Sequence, residues 1–281
     1  MSLHVQPFHH AGTGTWSYIV SDTGTAQAAI IDPVLDFDAA TGRASTGSAQ
    51  ALLDEVRERH LDVQWLLETH AHADHLSSAQ WLKTQLPQAR VAIGHGIRAV
   101  QRTLAPTLGL DGMPTDGSQF DHLFHDDDVF RIGTVPARVI AVPGHTRDSL
   151  AYLIGDALFT GDSLFLPDAG SARCDFPGGD AGQLYRSIQR LYGLPDATRV
   201  FVCHDYGIKD GEHAREPRCA TTIGEQKRGN IHLREGVSEA EFVAMRSARD
   251  ATLAPPALMT PALRANLRAG AIPPAPNGAG R

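Results

Sequence analysis

At 281 residues, with 42% hydrophobic and 20% charged side chains, the chain has the composition of a soluble globular protein with a large core, as one domain or one domain and an appendage. A net charge of −7 with histidine neutral argues against a broad nucleic-acid-binding face, and no apolar run approaches the roughly 20 residues that cross a bilayer. Cys174, Cys203 and Cys219 are odd in number and lack a Cys-x-x-Cys pair, which argues against a disulfide framework. With neither a basic nor an apolar leader pattern in Met1–His10, the expected location is cytoplasmic.

In chain order, Thr15–Ser21 and Ala28–Asp32 read as a hairpin around Asp22-Thr23-Gly24-Thr25. Asp36–Ser48 is small and polar and reads as a surface loop, and Ala49–His60 as an amphipathic helix through Leu52, Leu53 and Val56. Val63–Thr69 is β-branched, aromatic and apolar, as a buried strand should be. It runs into Thr69-His70-Ala71-His72-Ala73-Asp74-His75, after which Leu76–Leu86 shows helical spacing and Pro87 a stop. The cluster thus falls on a strand-to-helix turn, at the carboxyl end of a strand, where open α/β sheets place their sites. A lone histidine on a loop is ordinarily a surface residue. Three imidazoles and a carboxylate within six positions point instead to a metal centre.

Arg90–Ile93 reads as a strand, and 95–122 as a loose excursion broken by Pro106, Gly109, Gly112, Pro114 and Gly117. Further strands are expected at Val129–Ile132, Ala137–Val142, Leu150–Ile154 and Ala157–Thr160. Two of them end in loaded turns, Pro143-Gly144-His145-Thr146 and Gly161-Asp162-Ser163, where glycine lets the backbone bend closely. Gln183–Tyr192 reads as a helix, and Arg199–Cys203 as a last strand delivering His204-Asp205-Tyr206. Beyond Gly211, Ser238 caps a helix to about Ala251. Pro255, Pro256 and Pro261 interrupt the next stretch, and Ala271–Arg281 reads as poorly ordered.

His70, His72, Asp74, His75, His145, Asp162 and His204, in this order and each at the end of a strand, resemble the metallo-β-lactamase superfamily over Trp16 to about Tyr206. The resemblance implies an α/β (α+β type) chain: a four-layer αββα sandwich at 1–215 and a short C-terminal extension at 216–281. In the superfamily at large it places His70, His72 and His145 around one metal, and Asp74, His75 and His204 around a second, with Asp162 bridging.

Ile31-Asp32-Pro33-Val34, Gly161-Asp162-Ser163-Leu164, Ala172-Arg173-Cys174-Asp175-Phe176, His204-Asp205-Tyr206 and the tail Pro261–Gly270 look like the persulfide dioxygenase (sulfur dioxygenase) branch. That resemblance implies one Fe(II) per chain held by His70, His145 and Asp162. His72, Asp74, His75 and His204 would orient these ligands from behind, or hold a second metal. The implied reaction is oxidation of glutathione persulfide by O₂ to sulfite and glutathione. Arg173 and Tyr206 are the candidate substrate contacts, Arg173 because its planar fork can take a glutathione carboxylate. Neither a nucleic-acid nor a membrane partner is expected, and a homodimer is left open. The alternatives are a dinuclear zinc thioester hydrolase of glyoxalase II type and a non-catalytic metal-binding protein. All seven metal-capable positions are present, so the sequence leaves the first open.

Overall fold

The computed structural model describes residues 2–209, 211 and 214–272. In chain order its elements begin with β1 (Leu3–His10), β2 (Thr15–Asp22), β3 (Gln27–Ile31), β4 (Val34–Asp38), β5 (Arg43–Ser45) and α1 (Gly47–Glu58). Next come β6 (Asp62–Leu67), β7 (Leu76–Ser77), α2 (Ala79–Gln85), β8 (Arg90–Gly94), α3 (Ile97–Leu104) and β9 (His122–Phe124). The second half holds β10 (Val129–Ile132), β11 (Val135–Ala141), β12 (Leu150–Ile154), β13 (Ala157–Phe159), α4 (Ala181–Tyr192) and β14 (Arg199–Phe201). It closes with β15 (Ala220–Thr222), α5 (Ile223–Gly229), α6 (Glu239–Asp250) and α7 (Met259–Asn266).

Two six-stranded sheets, ordered β1-β2-β3-β6-β8-β9 and β10-β11-β12-β13-β14-β15, lie face to face. Side-chain alternation along the strands dictates this layering. Ile19, Ala28, Ile30, Val63 and Leu66 pack outward against Leu52, Leu53 and Val56 of α1, Leu82 of α2 and Val100 of α3. Their neighbours Tyr18, Val20, Ala29, Ile31 and Leu67 face the other way, onto Val139, Tyr152, Ile154 and Phe159 of the second sheet. That sheet's opposite face, through Ile140, Ala151, Leu158 and Val200, meets Leu184, Ile188 and Leu191 of α4 and Phe242 of α6. The result is the αββα sandwich expected from the sequence. Each fully buried Leu or Ile contributes about 1.5–3 kcal/mol. No helix among the described residues is long and apolar enough to cross a membrane.

Several local expectations are corrected. Leu3–His10 is a strand paired with β2 along its whole length, from Leu3 opposite Asp22 to His10 opposite Thr15. Its half-buried, histidine-rich sequence hides the alternation that marks a strand. The expected loop 36–48 contains the end of β4 and all of β5. The helix expected from Leu76 starts at Ala79, because Leu76 and Ser77 instead pair with Leu35 and Val34. The 95–122 excursion opens with α3, and α7 forms across Pro261. Proline is tolerated there because the first turn has no intrahelical partner for its N–H. Of the segment expected to be poorly ordered, residues 273–281 lie outside the described residues.

The C-terminal segment fastens onto the histidine-rich turn. Asn266 Nδ2 donates to the carbonyls of His72 and His75, both at 2.8 Å, and its Oδ1 accepts the Ser77 N–H at 2.8 Å. Leu267 and Ala269 sit in the same core cluster as α1 and α2. Asn266→Ala leaves three buried backbone groups without partners. It is expected to cost about 2–4 kcal/mol in urea unfolding of the metal-free protein.

Candidate metal centre

The seven candidate side chains come from four strand ends on one edge of the sandwich. His70, His72, Asp74 and His75 occupy the turn after β6, His145 the turn after β11, Asp162 the turn after β13, and His204 the end of β14. The two sheets are joined at this edge. Thr15 and His204 form a β-bridge, and Trp16 N–H donates to Cys203 O at 2.7 Å. Gly161 is obligatory in its turn: its φ is +52°, and a Cβ there would lie 2.6 Å from Thr69 Oγ1.

Each of the five histidines has one ring nitrogen held by the protein. His70 Nδ1 donates to Thr69 Oγ1 (3.1 Å), His72 Nε2 to Asp32 Oδ1 (3.0 Å), and His145 Nδ1 to Arg173 O (2.7 Å). His75 Nδ1 reaches Leu76 O at 3.4 Å, and His204 Nδ1 reaches Thr15 Oγ1 at 3.4 Å. The opposite nitrogens of His70, His72, His75 and His204 are buried and have no hydrogen-bond partner. So is Asp162 Oδ1. Orphaned polar atoms at this density are costly unless a cation fills the space between them. The residues present fit a bound metal.

The spacing supports the same conclusion. Asp162 Oδ2 lies 3.7 Å from His70 Nε2 and 3.6 Å from His145 Nε2, near the separation of donors sharing a metal at about 2 Å each. His70, His145 and Asp162 form one group whose donor atoms all lie within 4.8 Å of one another. His72, Asp74, Asp162 and His204 form a second, and His72, His75 and His204 a third with the buried thiol of Cys203. His204 Nε2 stands 3.1 Å from Asp74 Oδ2 and 3.2 Å from Asp162 Oδ1.

Burial, and then the neighbouring imidazoles, hold His70 well below the usual histidine range. Burial and His72 likewise push His75 down to about 3. Both are therefore neutral and ready to ligate. His72 goes the other way: burial opposes its charge, but Asp32, Glu68 and Asp162 raise it to about 10. Glu68, raised to about 8 by burial and then by Asp32, accepts a hydrogen bond from Ser77 Oγ. The carboxylates thus favour positive charge at this spot, which a metal at His72 Nδ1 would also supply.

The groups behind the ligands were only partly legible. Asp32 lies in the Ile31-Asp32-Pro33-Val34 motif, yet its role appears only in the fold, where it accepts from Thr69 N, Thr69 Oγ1 and His72 Nε2. Asp148 Oδ2 holds Ala71 N–H at 2.8 Å, and nothing in its sequence context marks it. Arg173 lines the cavity beside the cluster, but its fork is already spent. Nε and Nη2 both pair with Asp175 at 2.6 Å, and Nη1 donates to Ala254 O at 2.7 Å. Its guanidinium is thus engaged within the protein. Tyr206 also lines the cavity, 64% exposed, its ring parallel to that of His204 with centroids 6.3 Å apart. Burial pushes the Cys174 thiol up to about 12, so it is protonated at neutral pH.

Asp32→Ala removes the acceptor that sets the His72 ring and, through Thr69, the His70 ring. Metal affinity is expected to fall about 10–100-fold, measured by chelator competition.

The chain matches the metallo-beta-lactamase superfamily over residues 11–204. It is 48% identical over 275 residues to a "Beta-lactamase hydrolase-like protein" of Xylella fastidiosa, covering 98% of this chain but only 62% of that relative. It is 44% identical over 272 residues to "Glyoxylase B2" of Dictyostelium discoideum, covering 96% and 92%. It is 28% identical over 229 residues to the human "Persulfide dioxygenase ETHE1, mitochondrial", covering 78% of each. Among solved structures, that of ETHE1 from Myxococcus xanthus superposes with a TM-score of 0.75 at 31% identity, covering 95% of this chain and 100% of that one. These likenesses bear out the resemblance to the persulfide dioxygenase branch. On the match and the identities together, the chain belongs to the metallo-beta-lactamase superfamily.

Proposed function

We propose that this protein is an iron-dependent persulfide dioxygenase that oxidises glutathione persulfide with O₂ to sulfite and glutathione. One observation carries the reading: His70, His145 and Asp162 form a compact trio of donors without His72. Two imidazoles and one carboxylate with open positions are the ligand set of non-haem iron oxygenases. Iron held there would supply electron transfer between a sulfur anion and O₂, which redox-inert zinc cannot. The likeness to the Myxococcus and human ETHE1 proteins supports this choice of branch.

The chain's own groups suit the task. Asp162 offsets cationic charge and faces both imidazoles. Arg173 O and Thr69 Oγ1 fix the two rings so that their Nε2 atoms point into the site. His145 and Asp162 open onto a cavity of about 490 Å³, whose walls Phe165, Phe176, Ala169 and Ala172 make an apolar seat for a sulfur chain. His204 Nε2, between the Asp74 and Asp162 carboxylates, can hold a proton beside the reacting sulfur.

A dinuclear zinc thioester hydrolase is the second reading. It is favoured by the unpartnered His72 Nδ1, His75 Nε2 and His204 Nε2 and by the glyoxylase-named relative.

Metal analysis of anaerobically purified protein, with oxygen uptake on glutathione persulfide, decides between them. One iron per chain with uptake is expected; two zincs without uptake overturn the proposal. Asp162→Ala is expected to lose metal and activity together, and a variant that keeps both excludes the trio. Asp74→Ala is expected to keep its iron while losing about 10–100-fold in activity. In a dinuclear hydrolase the same change lowers the metal count from two to one.

A further inference from the structure

The cavity beside the metal cluster has a second wall, contributed by Ile231, His232, Arg246, Arg249, Leu253 and Ala254. Most charges around the cavity are already matched. Asp205 and Asp168 are both clamped by Arg215, at 2.5 and 2.8 Å. Arg173 is held by Asp175, and the buried Arg246 by Asp250, both at 2.6 Å. Arg249 is left over. It is exposed in the last turn of α6, and among the described residues no carboxylate lies within 4.0 Å of its guanidinium. Asp74 and Asp162, which also line the cavity, face the metal cluster; on the wall away from it the acids are matched and one arginine is not, which favours an anion there.

His232 adds a second donor. Its Nδ1 accepts the Ser171 N–H at 3.0 Å. Burial, with the nearby Arg246 and Arg249, pushes the ring down to about 4. It is neutral at physiological pH with its proton on Nε2, and that N–H has no acceptor among the described residues. Arg249 and His232 line the same cavity. A planar guanidinium and a neutral imidazole N–H on one wall are complementary to the two oxygens of a carboxylate.

We propose that Arg249 and His232 form a carboxylate-binding subsite on the C-terminal wall of the cavity, and that it takes a carboxylate of glutathione. The choice of glutathione rests on the persulfide dioxygenase reading; the carboxylate preference rests on the unmatched charge. The subsite assigns to α6 the contact that the sequence suggested for Arg173, and it gives the C-terminal segment a part in selecting the substrate as well as in bracing the histidine turn.

The test is calorimetric binding of glutathione, and of glutathione diethyl ester, to the iron-loaded protein, alongside oxygen uptake on glutathione persulfide. Wild type is expected to prefer the free acid to the ester. Arg249→Ala is expected to bind glutathione about 3–10-fold more weakly with the ester unaffected, Arg249→Glu more weakly still, and Arg249→Lys to recover part of the loss. In turnover the loss is expected in KM rather than kcat. Equal losses on acid and ester, unchanged glutathione affinity in Arg249→Ala, or no wild-type preference for the acid overturn the subsite. Oxygen uptake separates the two proposals. Arg249-dependent glutathione binding without uptake upholds the subsite and sinks the dioxygenase. Uptake with an unchanged KM in Arg249→Ala does the reverse.

Discussion

The buried carboxylate of Asp32 is the constraint on which the metal edge depends. It stands where β3 ends, 2% exposed, with a backbone φ of +47° followed by Pro33. A carboxylate so deep is tolerated only if donors surround it. Burial works against its charge, while the His72 ring and the Thr69 N–H hold it below the usual carboxylate range. The donors it recruits all belong to the histidine turn. The need to satisfy one buried charge thereby sets the orientation of two metal-facing rings, His72 directly and His70 through the Thr69 hydroxyl.

A second constraint is the closure of the two sheets at the same edge. Tyr18 Oη donates to Val202 O at 2.5 Å, and β2 bridges to the residue carrying the His204 ring. This brings the end of β14 against the start of β2. The ligand-capable groups of the second half, His145, Asp162 and His204, thus face the turn of the first half across a gap of metal dimensions. The C-terminal segment braces the turn from behind through Asn266 and walls the cavity in front through α6. α6 and α7 therefore bear on both the stability of the turn and the shape of the cavity.

The electrostatics of the site are uneven in an informative way. Five imidazoles converge on few acids, and burial keeps His70 and His75 neutral while Asp32 and Glu68 favour a cation beside His72. Such a cluster without a cation is strained by its own orphaned atoms. One positive ion relieves several of them together. The cavity wall away from the cluster is balanced differently, with Asp168 and Asp205 paired to Arg215 and Arg249 exposed beside them without a carboxylate partner among the described residues.

The sequence alone determined most strands and helices and the seven metal-capable positions, while the layered sandwich was what the resemblance to the superfamily implied. The first two arise from local patterns: periodicity of apolar side chains, and ligand candidates placed where glycine or alanine lets the strand ends turn. Sequence pattern missed β1, whose histidines and glutamine mask its alternation, and β7, whose two residues looked helical until they paired with β4. Nor does it show the partners of Arg173, since only the fold brings Asp175 and Ala254 O onto its guanidinium. Which nitrogen of each histidine faces the site, and which arginines find carboxylate partners, were decided by tertiary structure. These depend on hydrogen-bond partners from distant segments, such as Asp32 for His72 and Thr15 for His204, which no local pattern encodes.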